Sequence, residues 1–359
     1  MEIGIIGLPN VGKSSFFNLI TKSNAEVGNF PFTTINPNTA VVNVPDERLE
    51  ALKKIFSPEK VTYPTLKFID IAGLVKDAHK GAGLGNKFLS EIRATDALVQ
   101  VVRCFENPDV ANVLDKVSPE DEIEIIRTEL LLADIEILAR AREKISGKAK
   151  AGDAESRKKV ELLDNLINAL NSQQSIDEKF KDSLHEYPLI TIKPIIYCLN
   201  TDDTGNYALV EKIKSKYGKK INNDAENIFS IPIKTELELL ELPEEERDKF
   251  RKELNLGLPP ISKLLKSLSV SLNLVTFYTV VGYKEIRGWF LQKGSTALDA
   301  AGKIHTDMAR GFIHAEVYSY DELIEYGSEQ RIRECGVLRL VGKEYEVCDG
   351  DILRIVFKS

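Results

Sequence analysis

An α/β fold built on a parallel sheet, interrupted by a helical hairpin and followed by a small α+β domain, is what this 359-residue sequence predicts. Three observations carry the prediction. An apolar run, Ile3-Gly4-Ile5-Ile6, leads through Gly7-Leu8-Pro9-Asn10-Val11-Gly12-Lys13-Ser14-Ser15 into the helix-compatible Phe16-Phe17-Asn18-Leu19-Ile20. Apolar strand-like runs recur at residues 66–71, 97–103 and 193–199, the pattern of a doubly wound sheet. Two long segments of helical spacing lie between the last two runs, and the chain turns β-rich after about residue 273.

The first stretch has the strand, glycine-containing loop and helix order of a phosphate-binding P-loop. Glycines let successive backbone N–H groups turn inward around phosphate oxygens, and the positive end of the following helix adds to the attraction. On this reading Asn10, Val11, Gly12, Lys13, Ser14 and Ser15 hold a nucleoside triphosphate. Lys13 reaches the β- and γ-phosphates, and the Ser14 hydroxyl ligates Mg²⁺. The Asn10 oxygen is placed either to hold K⁺ beside the phosphates or to stabilise the loop.

Residues 25–38 show no period and read as a loop. Within it Thr33 and Thr34 stand where a switch would bring a second hydroxyl to Mg²⁺. The run Leu66-Lys67-Phe68-Ile69-Asp70-Ile71-Ala72-Gly73 is a strand ending in an acid with a glycine three residues on. Alone, such an Asp is commonly a helix cap. Downstream of a P-loop it reads as the metal-holding carboxylate, with the Gly73 N–H on the γ-phosphate. The next residue is Leu74, at the place where Ras-like enzymes carry a water-orienting glutamine. A leucine makes no hydrogen bond, so turnover is expected to be slow and to need another group, a cation or a partner. His79, in the glycine-rich stretch that follows, reads as solvent-exposed.

From Asp121 to Ile145 apolar residues fall at Ile123, Ile126, Leu130, Ala133 and Ile137. From Glu155 to Gln174 they fall at Val160, Leu163, Ile167 and Leu170. Two such seams joined near Ser146–Asp153 predict an antiparallel coiled-coil hairpin with arms of about 30–40 Å. Its tip carries Arg140, Arg142, Lys144, Lys148, Lys150, Arg157, Lys158 and Lys159. That run is either a solvated face or a finger for RNA phosphates.

The strand at residues 193–199 ends in Asn200-Thr201-Asp202-Asp203. GTPases end this strand in Asn-Lys-x-Asp, the Asp reading guanine. Here Thr201 replaces the Lys and Asp203 keeps the carboxylate, so these four residues leave the base open. Asn227-Ile228-Phe229-Ser230-Ile231 is a last strand, and helices are expected over 244–253 and 260–269. Beyond Asn273, strand-like LVTFYTVV, GFIHAEVY and LRIVF alternate with glycine turns and one short helical stretch. His305 and His314 have no matching metal-ligand set.

A net charge of −7 argues against bulk nucleic-acid binding, so any RNA contact must be local. Cys104, Cys198, Cys335 and Cys348 lack zinc-like spacing and read as buried thiols in a reducing cytoplasm. The apolar N-terminus is too short for a membrane span and lacks a signal-peptide pattern, so a cytoplasmic protein is expected.

Taken together, GLPNVGKSS, NFPFTTINPN, DIAGLVKDAHKGAGLGNKFL, AAGKIHTDMARGFIHAEV and YEVCDGDIL resemble the YchF / Obg-like ATPase family of translation-factor-related P-loop proteins, over essentially the whole chain. The resemblance implies a nucleotide domain at 1–118 and 190–272, a coiled-coil insertion at 119–189 and a ubiquitin-like TGS domain at 273–359. It implies ATP favoured over GTP, slow hydrolysis, and a monomer that associates with the ribosome through its large subunit. By motif match Ser14 and Thr34 bind Mg²⁺ with Asp70, Asn200 and Thr201 lie at the base, and Leu74 is the hydrophobic replacement for glutamine. Two departures stand out. Asp203 replaces the usual family Glu, which keeps a GTPase reading open. Asn112 stands where many members carry a histidine. A third reading is a regulatory ribosome- or RNA-binding module with incidental turnover.

Overall fold

The computed structural model describes residues 1–27, 38–71, 84–107, 117–172, 186–202, 207–222, 225–253, 256, 259–282 and 284–358. Its strands up to the central sheet are β1 (Glu2–Ile6), β2 (Thr39–Asn43), β3 (Lys60–Thr62), β4 (Thr65–Asp70), β5 (Ala97–Arg103) and β6 (Ile195–Asn200). Then come β7 (Lys220–Asn222), β8 (Ala225–Glu226), β9 (Ile228–Ile231), β10 (Leu274–Val281), β11 (Glu285–Gln292), β12 (Phe312–Ser319), β13 (Arg339–Val341) and β14 (Asp351–Phe357). They belong to two compact units. One comprises Met1–Leu19, Phe68–Lys219 and Ile228–Leu254; the other comprises Ile20–Lys67, Lys220–Asn227 and Asn255–Ser359.

In the first unit β4, β1, β5, β6 and β9 lie side by side in that order. The β1–β5, β5–β6 and β6–β9 pairs are parallel. Every residue of β5 is buried, as a central parallel strand covered on both faces must be, which explains its unbroken run ALVQVVR. Helix α1 (Lys13–Val27) leaves β1 through residues 7–12. The carboxyl ends of these strands therefore share one edge, where ligands of open α/β sheets bind.

After α2 (Glu47–Phe56) and α3 (Leu84–Ala94) come the long helices α4 (Pro119–Lys150) and α5 (Ala154–Asn171). They run antiparallel: Arg142 pairs with Asp164, and Arg157 Nε donates to the Ala149 carbonyl at 3.1 Å nearer the turn. At about 1.5 Å per residue α4 spans about 48 Å and α5 about 27 Å. The expected single seam is divided. Near the start of α4, Ile123 packs with Val102 and Leu199 of the sheet and Ile213 of the helix Tyr207–Tyr217. Further along, Leu138 packs with Leu163, Leu166 and Leu170 of α5. Leu138 is buried where the spacing pointed to Ile137, because the first turns of α4 face the sheet rather than α5. Of the basic residues near the tip, Arg140 pairs with Glu136 and Lys159 with Glu155.

Asp134, fully buried on α4, fixes this arrangement. Its carboxylate accepts from Arg93 at the end of α3 at 2.9 Å. It also accepts from the backbone N–H groups of Ile190 and Thr191, both at 2.8 Å, and from the Thr191 hydroxyl at 2.9 Å. A buried charge is tolerable only with such a full set of partners.

In the second unit a sheet of order β13-β12-β14-β10-β11-β3 has an apolar layer on each face. On one side Val275, Phe277, Ala297, Ala300 and Val317 cluster; on the other, Leu49 and Leu52 of α2 meet Tyr278, Ile286 and Ile352. Strand β3 runs parallel to β11, and the Thr62 hydroxyl donates to Glu285 at 2.6 Å. Arg48 joins Asp46 at 3.0 Å to Asp349 at 2.7 Å, while Asp349 also accepts the Thr276 N–H at 2.7 Å. Residues 46–62 thus pack with the C-terminal segment.

Two expectations are corrected here. The C-terminal segment holds four helices, Ala297–Ile304, Thr306–Arg310, Tyr320–Tyr326 and Glu329–Glu334, where one short helical stretch was expected. They are too short to show a period and are started by caps: Thr296 with Asp299 and Ser319 with Glu322 form capping boxes. Cys104 and Cys198 are buried as expected, but Cys335 and Cys348 are exposed, because Cys335 ends a short surface helix and Cys348 lies in the turn before β14. His305 caps Thr306–Arg310, its Nδ1 accepting the Asp307 N–H at 3.2 Å. Among the described residues no helix is long and apolar enough to cross a membrane.

Removing the Asp134 carboxylate strands a guanidinium, the buried Ile190 N–H and the half-buried Thr191 N–H. Asp134→Ala is expected to lose about 3–5 kcal/mol of stability in chemical denaturation, and Asp134→Asn, which keeps one acceptor, distinctly less. Equal and small losses for both would contradict this role.

Candidate functional site

The loop between β1 and α1 is held by short-range geometry that its sequence explains. Asn10 and Gly12 adopt positive φ, 63° and 101°. Asparagine tolerates the left-handed region, and glycine enters it freely. At Gly12 a side chain would also collide with the Asn200 amide. Asn200, at the end of β6, donates from Nδ2 to the Val11 carbonyl at 2.9 Å, so two strand ends meet at the loop. At Gly7 an added Cβ would press on the Val101 carbonyl of β5.

Lys13 opens α1 and folds back over the loop, its Nζ donating to the carbonyls of Leu8 at 2.8 Å and Gly7 at 3.2 Å. Burial lowers its pKa, against the opposing pull of Asp70 and Glu122. The Ser14 hydroxyl donates to Asp70 Oδ2 at 3.4 Å, across 56 residues of sequence. Burial raises the Asp70 pKa, opposed by Lys13 and by the Ser14 hydrogen bond. A hydroxyl and a carboxylate converging at a P-loop are hard oxygen donors that suit Mg²⁺, which takes few protein ligands and leaves the rest to water and phosphate. Among the described residues no cluster of three or more His, Cys, Asp or Glu residues is disposed to hold a metal.

A cleft of about 710 Å³ opens beside this loop. Asn10, Gly12, Lys13, Ser14 and Ser15 line it together with Asn200, Thr201 and Asp202. Val11 is buried and does not line it. Thr201 is buried too; its N–H donates to the Ile231 carbonyl at 3.1 Å, and its hydroxyl lies 3.4 Å from the Ser230 hydroxyl. The sequence reading missed two walls: Phe105, Glu106 and Asn107 after β5, and Ile233, Lys234, Thr235, Leu237, Glu238 and Glu241 after β9. The signal was topological. In a parallel sheet the loops after every strand carrying the cleft face the same edge, so those after β5 and β9 were candidates without any motif. Thr34, Gly73, Leu74, His79, Asn112 and Asp203 lie outside the described residues.

Near Lys13, Glu122 of α4 is buried and accepts the backbone N–H of Arg103 at 2.9 Å. Burial pushes its pKa up to about 7 from the ordinary 4.5, opposed by the Arg103 N–H, Arg103 itself and Lys13. Burial, aided by the same carboxylate, pushes the neighbouring Cys104 thiol up. A raised carboxyl pKa means that ionising Glu122 costs the folded state stability. The cost is absent below about pH 4.5, grows up to about pH 7 and is complete above it. Glu122→Gln keeps an acceptor but cannot ionise, so its melting temperature relative to wild type should rise by about 2–5 °C between pH 5 and pH 8. A difference that is flat or falls with pH would contradict a buried, reluctantly charged Glu122.

Comparison with known proteins places these features in a family. Residues 274–358 match the family model YchF-GTPase_C, described as a protein of unknown function, and residues 2–140 match the model described as a 50S ribosome-binding GTPase. The chain is 41% identical to the ribosome-binding ATPase YchF of Escherichia coli O157:H7 and 40% identical to that of Bacillus subtilis, in each case over 99% of both chains. The solved structure of the Schizosaccharomyces pombe YchF GTPase superposes with a TM-score of 0.85 at 32% identity, covering 99% of this chain and 97% of that one. With relatives this similar along their whole length and a P-loop fold in common, this chain belongs to the YchF family.

Proposed function

We propose that this chain is a Mg²⁺-dependent nucleoside triphosphate hydrolase that prefers ATP and works as a nucleotide-controlled switch on the ribosome. The observation that carries the reading is the Ser14–Asp70 hydrogen bond, with Ser14 lining the cleft next to Lys13. Relatives at about 40% identity carry the name ribosome-binding ATPase, which supports both the activity and the partner.

In this reading the triphosphate lies along Asn10–Ser15, and Lys13 exchanges the Leu8 and Gly7 carbonyls for phosphate oxygens. Ser14, Asp70 and Thr34 hold Mg²⁺. When bound, the ion neutralises charge that develops on the β- and γ-phosphates. The Gly73 N–H meets the γ-phosphate. Leu74 offers nothing to orient water, so intrinsic turnover is slow and depends on a further group, with K⁺ held at Asn10 as one candidate and the ribosome as another. Asn200, Thr201 and Asp203 take the base side. The domain assignment goes with it: nucleotide domain at 1–118 and 190–272, coiled-coil insertion at 119–189, TGS domain at 273–359. A cytoplasmic monomer that meets the large ribosomal subunit completes the reading, with the basic hairpin tip offered to RNA phosphates.

GTP is the second reading, and Asp203 favours it: a short carboxylate at that position accepts from N1 and N2 of guanine. Competition titrations with ATP and GTP, in Mg²⁺ and K⁺, decide between them. ATP is expected to win in the wild type and in Asp203→Glu alike. A tenfold GTP preference, about 1.4 kcal/mol, that Asp203→Glu erases would overturn the ATPase assignment. Lys13→Ala is expected to abolish triphosphate binding in either case, and stimulation of turnover by ribosomes separates a switch from a passive binding module.

A further inference from the structure

Behind the cleft, at the end of β5, sits a side chain that does not line it but holds one of its walls. Arg103 is buried, and its guanidinium turns forward along the chain. Nε donates to the Phe105 carbonyl at 3.1 Å, and one terminal nitrogen donates to the Asn107 carbonyl at 3.1 Å. The planar head lies 4.7 Å from the centre of the Phe105 ring. Phe105, Glu106 and Asn107 are the residues that face the cleft on this side. The Arg103 backbone is tied from behind, where its N–H donates to Glu122 Oε2.

One rigid fork thus gathers carbonyls two and four residues ahead of it. A guanidinium suits this task because its donors are fixed in a plane and its face stacks on an aromatic ring. A lysine ammonium has donors enough but presents them from a single point, without the plane or the stacking face. The phosphate side of the cleft is organised by other bonds, those of Lys13 to Leu8 and Gly7 and of Asn200 to Val11.

We infer that Arg103 is a positioning residue for nucleotide affinity: it fixes the wall at residues 105–107 against which the nucleoside half of the ligand packs, and it leaves the phosphate cradle to the P-loop. The inference rests on reading the cleft as the nucleotide site. It separates two contributions that a purely structural residue would not separate.

The test is a pair of titrations with the full chain, one with Mg²⁺-ATP and one with Mg²⁺-tripolyphosphate, which has the phosphates without the nucleoside. Arg103→Lys is expected to weaken ATP binding about tenfold and to change tripolyphosphate binding by less than twofold. ATP affinity within twofold of wild type, or equal losses for both ligands, overturns the assignment. Should Arg103→Lys fail to fold, Arg103→Gln, whose planar amide keeps part of the fork, goes through the same titrations, with at least a threefold loss confined to ATP expected. A wild-type chain that binds neither ligand overturns the nucleotide reading itself, and this inference with it.

Discussion

The hydrogen bond from Asn200 to the Val11 carbonyl is the constraint on which the site depends. It fastens the end of β6 to the loop between β1 and α1, and it decides what the loop may contain at Gly12. Gly12 has no room for a side chain because Asn200 already stands there. With the loop fixed, Lys13 begins its helix at a set place, and Ser14 comes to face Asp70 from another strand. A phosphate cradle made of backbone groups needs this kind of rigidity, since its donors act only where they are already aimed.

Much of this was legible in the sequence, and the reasons are physical. The P-loop residues and Asp70 announce themselves because the chemistry needs particular residue types at fixed spacings next to strands. The strands β1, β5 and β6 announce themselves because burial in the sheet leaves them predominantly apolar. The walls after β5 and β9 did not, since Phe105, Glu106, Ile233 and Leu237 are ordinary residues whose place in the cleft comes from topology alone. Arg103 gave no signal either. A basic residue at a strand end looks exposed on paper, and only the fold shows it buried against carbonyls of its own chain.

The helical hairpin shows the same limit from the other side. Its spacing was read correctly as helix, yet spacing cannot say which partner receives each turn. The first turns of α4 meet the sheet layer through Ile123, and the later ones meet α5 through Leu138. One continuous stripe serves two cores, so α4 is anchored at its root rather than merely attached there. Asp134, at the change-over, ties the helix to the segment that leads back into β6.

The pairing of β3 with β11 bears on how the chain is made. Thr62 and Glu285 are separated by 223 residues, and Leu49 and Leu52 of α2 rest against Tyr278 and Ile286. Contacts over such a separation are closed late and at an entropic cost, and an emerging chain cannot close them at all until both halves exist. During synthesis, then, residues 47–62 are translated early and wait, their apolar faces uncovered, until β10 and β11 leave the exit tunnel. The second unit is completed only near the end of translation, and until then the waiting segment is open to chaperones and to misassembly.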